Sequence, residues 1–105
     1  MVIEYGQDYL RELYEDDRCH DKKHRFQPQV VKKYQKRVDI LMAAVCKEDL
    51  FVFHSLGFEA LHGDMEGLFS IRVDYHYRLE FSIREEGPEP IVTICTLQEL
   101  SNHYQ

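Results

Sequence analysis

Residues 67–84 read Gly67-Leu68-Phe69-Ser70-Ile71-Arg72-Val73-Asp74-Tyr75-His76-Tyr77-Arg78-Leu79-Glu80-Phe81-Ser82-Ile83-Arg84. Phe69, Ile71 and Val73 alternate with Ser70, Arg72 and Asp74, and Tyr77, Leu79, Phe81 and Ile83 alternate with Arg78, Glu80, Ser82 and Arg84. A period of two marks strands with one apolar face, so the stretch predicts a hairpin. Its register follows from the same pattern. A two-residue turn at Tyr75-His76 would set Val73 against Arg78 and split the apolar face. A loop centred on Tyr75, three or five residues long, pairs Val73 with Tyr77, Ile71 with Leu79 and Phe69 with Phe81. A buried face selects the register that keeps it whole. The second pairing is therefore expected, and it sets Arg72 opposite Arg78.

Downstream, Gly87-Pro88-Glu89-Pro90 predicts a second turn. Residues 91–97 then return as a strand whose nearly continuous apolarity suits a central position. Upstream, residues 2–5 predict a short first strand, and residues 7–15 a short helix with Tyr9, Leu10, Leu13 and Tyr14 at helical spacing. Residues 16–26 lack an apolar period and read as a connection. Pro28 suits the first turn of a longer helix ending near Lys47. Its apolar face is Val30, Val31, Tyr34, Val38, Leu41, Met42 and Val45. Gly57, Gly63 and Gly67 punctuate a connection over residues 48–68 that holds one short strand at 58–61. Without repeats, low-complexity stretches or a linker, residues 1–105 form one domain. The expected class is α+β, with two N-terminal helices packed on one face of a small, mostly antiparallel sheet.

Composition narrows the setting. The chain is 44% apolar and 30% charged, the balance of an ordinary globular domain. No apolar run is long enough for a membrane span, and the start has neither the basic region nor the apolar core of a secretory signal. Cys19, Cys46 and Cys95 are odd in number and form no CxxC, which suggests reduced thiols in a cytoplasm. Cys46 and Cys95 sit in apolar patterns and read as core. The net charge of −6 is unevenly spread. Residues 18–37 carry eight Lys or Arg against Asp21 alone, leaving that segment at +7 and the rest at −13. Such a stripe either tracks a polyanion or is simply the solvated face of a helix.

Two arginines opposed across strands repel each other, so either a carboxylate such as Glu80 or Glu66 neutralises them or the face receives an anion. A guanidinium suits phosphate because its planar fork offers paired donors at every physiological pH. His103 titrates near neutrality and suits general acid–base work, unless it is an exposed bystander near the terminus. Tyr104 beside it can stack on a base or bond a phosphate, or else pack the tail onto the domain. Glu59, in Phe58-Glu59-Ala60-Leu61-His62, has apolar sequence neighbours. That setting raises a carboxylate's pKa if the side chain is enclosed; the alternative is an outward-facing strand residue. Cys19, His20 and His24 offer a thiol and two imidazoles, but zinc needs a fourth ligand and no second pair is present, so no metal site is expected. Guanidinium, imidazole and phenol together can cleave a phosphodiester without metal or cofactor.

In their order, Phe58-Glu59-Ala60-Leu61, residues 67–73, Tyr77-Arg78-Leu79-Glu80-Phe81 and the closing His103-Tyr104 resemble the RelE/ParE superfamily of toxin–antitoxin toxins, in particular its HigB-like and YoeB-like ribonucleases. The resemblance implies an mRNA endonuclease acting in the ribosomal A site and neutralised by a cognate antitoxin. It implies Glu59 as general base, Arg78 as stabiliser of charge on the phosphate, and Arg72 as a phosphate ligand. His103 and Tyr104 would serve proton transfer and placement, and His62 and Asn102 substrate binding. Members more often carry a basic residue at the position of His62, differ at Asn102, and are basic overall. The rival reading on the same fold is a binding module without catalysis, either a ParE-like gyrase inhibitor or a degenerate toxin.

Overall fold

The computed structural model describes residues 1–102. Five strands, β1 (Val2–Tyr5), β2 (Glu59–Ala60), β3 (Phe69–Arg72), β4 (Arg78–Glu86) and β5 (Val92–Ser101), form one sheet in the order β1-β5-β4-β3-β2. Only β1 pairs in parallel, with β5; the other pairings are antiparallel. Helices α1 (Asp8–Glu15) and α2 (Pro28–Ala43) follow β1, and short 3-10 turns occupy the connections.

The hairpin takes the register that keeps its apolar face whole. Phe69 pairs with Phe81, Ile71 with Leu79 and Arg72 with Arg78, and the Val73 amide donates to the Tyr77 carbonyl. Tyr9, Leu10 and Leu13 of α1 and Val30, Val31, Tyr34, Val38 and Leu41 of α2 share one core with Ile71, Leu79, Phe81, Cys95, Leu97 and Leu100. Each large side chain so enclosed contributes roughly 1.5–3 kcal/mol. Tyr34 crosses between the helices and donates to the Leu10 carbonyl at 2.6 Å, so its hydroxyl is buried with a partner.

Two element ends differ from the sequence expectation. Helix α2 stops at Ala43, not near Lys47, and Met42 and Val45 are exposed although they were expected on the apolar face. The backbone turns extended at Ala44, where the Asp49 carboxylate accepts the Val45 amide at 2.8 Å. The Met1 ammonium meanwhile donates to the carbonyls of Leu41 and Met42, at 3.2 and 3.1 Å, and to that of Ala44. A cation at a helix C-terminus satisfies orphan carbonyls and complements the dipole. Cys46 is consequently only half-buried beyond the helix, while Cys95 is fully buried; all three cysteines are free thiols.

Strand β5 runs from Val92 to Ser101, past the expected end at residue 97. A β-bulge explains why the pattern hid it. Glu80 pairs with Glu99 and Phe81 with Leu97, so Gln98 is an extra residue. Leu97 and Leu100 can then both reach the core although three residues apart, and Ser101 comes directly opposite Arg78.

Gly6 joins β1 to α1, and its amide donates to the Leu97 carbonyl at 2.7 Å. A Cβ there would lie 2.6 Å from that same oxygen. Because the obstacle is backbone of a central strand, Gly6→Ala is expected to lower stability by about 1–3 kcal/mol, read from urea unfolding. At alkaline pH a second effect follows. Burial pushes Tyr9, whose hydroxyl accepts the Leu100 amide at 2.9 Å, up to about 12 from 10.0. Burial likewise pushes the Cys95 thiol up to about 12 from 9.0. Both groups are neutral when protonated, so their contribution is complete below the unfolded pKa and is lost as pH rises through the folded one. The melting temperature should therefore begin to fall near the lower of these ordinary values and drop steadily toward the raised ones. A scan flat over that window would refute the assignment.

Candidate active site

Alternation places Ser70 and Arg72 of β3 with Arg78 and Glu80 of β4 on the sheet face turned away from the helices. Ser70, Arg78, Glu80 and Ser101 are buried there despite their polarity, so that face is built around hydrogen bonds. The Arg78 guanidinium is the centre. Its Nε donates to Ser70 Oγ at 2.9 Å and its Nη2 to the Ser70 carbonyl at 3.4 Å and to the Gly57 carbonyl. Glu59 Oε2 lies 3.9 Å from the same Nη2.

Gly57 closes a 3-10 turn (His54–Leu56) in the left-handed conformation, φ 54° and ψ 46°. A Cβ at this position would sit 3.5 Å from Arg78 Nη1 and 3.7 Å from Arg72 Nη2. Both guanidinium groups therefore converge on one glycine. Buried Leu56 anchors the turn from the core side, and Phe58 anchors it from the other, its ring 5.3 Å from Phe69. The backbone between them brings its carbonyl to Arg78.

The residues singled out in the sequence divide as follows. Arg72 and Arg78 are brought together, with Arg78 7% exposed and Arg72 exposed. Glu59 joins them from the edge strand, but its side chain is 58% exposed, so the enclosed setting suggested by its apolar neighbours is absent. Phe58 turns to the aromatic cluster instead, as strand alternation requires. Glu66 is exposed and makes no ion pair among the described residues, so Glu59 is the carboxylate seen paired with Arg78. His62 is exposed two residues beyond β2, and its side chain makes no hydrogen bond or ion pair among the described residues. Asn102 is exposed and follows Ser101 directly, so β5 ends beside Arg78. His103 and Tyr104 lie outside the described residues. Gly57 and Ser70 carry functions that sequence reasoning missed. Ser70 was legible from parity, since it shares its face with Arg72 and Arg78, whereas the Gly57 carbonyl had no sequence signal beyond a turn residue.

Cys19, His20 and His24 do not converge. The Cys19 thiol donates to the His24 carbonyl at 2.9 Å, the His24 ring stacks on Tyr9 at 3.7 Å with its Nδ1 2.8 Å from Asp21, and His20 faces Glu12 at 3.8 Å. Among the described residues no group of three or more His, Cys, Asp or Glu could hold a metal ion. No helix among the described residues is long and apolar enough to cross a membrane.

A sheet of this order backed by two helices is similar to the fold of a solved toxin. A YoeB/ParE toxin from Agrobacterium tumefaciens superposes with a TM-score of 0.62 over 99% of this chain and 100% of that one, at 20% sequence identity. Sequence narrows the class further. The family model described as the RelE-like toxin of the type II toxin-antitoxin system HigB matches residues 3–89. Toxin HigB-1 of Vibrio cholerae is 37% identical over 82 residues, which is 77% of this chain and 82% of that one. The chain belongs to the HigB-like family and is a toxin of a type II toxin–antitoxin system, with a cognate antitoxin as its partner.

Gly57→Ala tests the turn. The added methyl meets ordinary contact distances to both arginines, so the cost comes from the left-handed backbone alone. A loss of about 1–2 kcal/mol is expected by chemical unfolding. A neutral result would mean that the turn relaxes elsewhere.

Proposed function

We propose that the toxin is a ribosome-dependent mRNA endoribonuclease of the cytoplasm and that its centre is the Glu59–Arg78–Arg72 constellation. The observation that carries this reading is the geometry at Gly57, where two guanidinium groups and a carboxylate meet on one sheet face. Glu59 takes the proton of a ribose 2′-hydroxyl, and the 2′-oxygen attacks the adjacent phosphorus. The P–O5′ bond breaks as the new bond forms, leaving a 2′,3′-cyclic phosphate and a 5′-hydroxyl, a route open to RNA and closed to DNA. Arg78, held by Ser70 and Gly57 before substrate arrives, offers N–H groups to the charge gathering on phosphorus. Arg72 binds a non-bridging oxygen. His103 supplies the proton to the leaving 5′-oxygen, Tyr104 places the nucleotide, and His62 and Asn102 contact the RNA at the margin. No metal or cofactor takes part.

The solvent-exposed Glu59 fits a base that acts once the ribosome and mRNA enclose it, since apo geometry is commonly looser than the assembled site. The rival reading, a binding module on the same fold, rests on no contact that the nuclease reading leaves unexplained.

Inducible expression with mapping of mRNA 5′ ends tests the proposal. The wild type should give codon-phased cuts, and Arg78→Ala should reduce them by roughly 100- to 1,000-fold, the loss associated with one preorganised charge-stabilising donor. Glu59→Gln should reduce cutting while leaving antitoxin binding intact. Growth arrest with uncut mRNA and damaged DNA would overturn the nuclease in favour of gyrase capture.

A further inference from the structure

A groove of about 880 Å³ lies between α2 and the tip of the β3–β4 hairpin, and Arg72 stands at its inner end. Lys33, Lys36 and Arg37 line it from α2. These three fall off the helix's buried stripe of Val30, Val31, Tyr34, Val38 and Leu41, so the periodicity that makes the core also gathers the cations on one wall. The Arg37 Nε donates to the Arg72 carbonyl at 2.7 Å, which ties that wall to the end of β3. Tyr75, at the hairpin tip, forms part of the opposite wall and is 91% exposed.

No carboxylate pairs with the cations of this groove among the described residues. Elsewhere on the surface Arg11 pairs with Glu15 at 3.1 Å and Arg84 with Glu4 and Glu86 at 3.0 Å. Lys33, Lys36, Arg37 and Arg72 have no carboxylate within 4.0 Å among the described residues. The one acid in the lining, Asp74, is turned to the loop, where its Oδ1 accepts the amides of His76 and Tyr77 at 2.8 and 2.9 Å. The groove thus lines up four cations that have no carboxylate partner among the described residues and adds a bare aromatic ring. A row of cations tracks phosphates, while an exposed ring offers a stacking face that only an unpaired base can reach. The combination selects a single strand over a duplex.

We propose that this groove holds the single-stranded RNA that flanks the phosphate bound at Arg72 and Arg78, with Lys33 and Lys36 on its backbone phosphates and Tyr75 stacked on a base. The proposal rests on the nuclease reading for the direction of the strand, yet it is measured without cleavage. The full-length protein is titrated with a fluorescent 12-nucleotide RNA, 2′-O-methylated throughout so that it cannot be cut, across a salt series. Each lysine should account for about 0.7 of the slope of log K against log salt, so Lys33→Ala with Lys36→Ala should flatten it by about 1.4. Tyr75→Ala should weaken binding roughly tenfold at every salt concentration with the slope unchanged, and Tyr75→Phe should restore it. Circular dichroism and melting temperature confirm that the variants stay folded.

Absent binding by the wild type, or slopes and affinities unmoved in these variants, overturns the proposal. So does loss of a poly-glutamate peptide with RNA binding kept, which would assign the groove to an acidic protein segment. Failure of the nuclease reading looks different. Cleavage that survives Arg78→Ala sinks the catalytic assignment, whereas the salt slope alone decides the groove.

Discussion

A guanidinium cannot be buried on a sheet face without acceptors for its N–H groups, and this requirement organises the molecule around Arg78. Removing such a charge from water costs several kcal/mol unless hydrogen bonds replace the lost solvation. Ser70, one strand away, supplies a hydroxyl to Nε and a carbonyl to Nη2, the latter at a long 3.4 Å, so Nη2 takes a closer acceptor as well. Gly57 supplies it from outside the sheet. The segment between α2 and β2 has little regular structure of its own, and its course is set by Leu56 entering the core, Phe58 joining the aromatic cluster, and the carbonyl between them meeting Arg78. A preorganised cation of this kind needs no rearrangement when negative charge develops beside it, which is the property that phosphoryl chemistry requires.

The hairpin was the most legible part of the sequence because two constraints agreed. Strand alternation names the faces, and the need to keep one face whole chooses among loop lengths, which puts Arg72 opposite Arg78. The element ends were harder to read, for reasons that lie far off in the chain. Helix α2 ends where the first residue and Asp49 take over its carbonyls and the next amide, and no local pattern announces partners at that distance. Strand β5 continues past Leu97 through a bulge, and an extra residue makes a continuing strand look like a finished one. Glu59 was found by type and position, but its exposure depends on lying at the sheet edge, which follows from strand order and not from its neighbours.

Charge distribution decided more than net charge. A chain at −6 looks ill-suited to nucleic acid, yet Lys33, Lys36, Arg37 and Arg72 gather along the α2–hairpin channel with no carboxylate within 4.0 Å among the described residues. Cations clustered on an otherwise acidic body can steer a polyanion toward them. Association with a specific site on a large RNA assembly gains from such directionality, because orientation is partly settled before contact.

Glu59 rides on β2, a strand of two residues at the margin of the sheet, paired with Ser70 and Phe69 and followed by a Leu61 amide that donates to the Leu68 carbonyl at 2.9 Å. Arg78 belongs instead to the nine-residue β4 near the middle. The two halves of the proposed centre thus rest on ladders of very unequal length, and short ladders at a sheet margin belong to the low end of local opening energies. For the proposed nuclease, this leaves the electrostatic platform on the most extensively paired part of the sheet and the general base on its least paired strip.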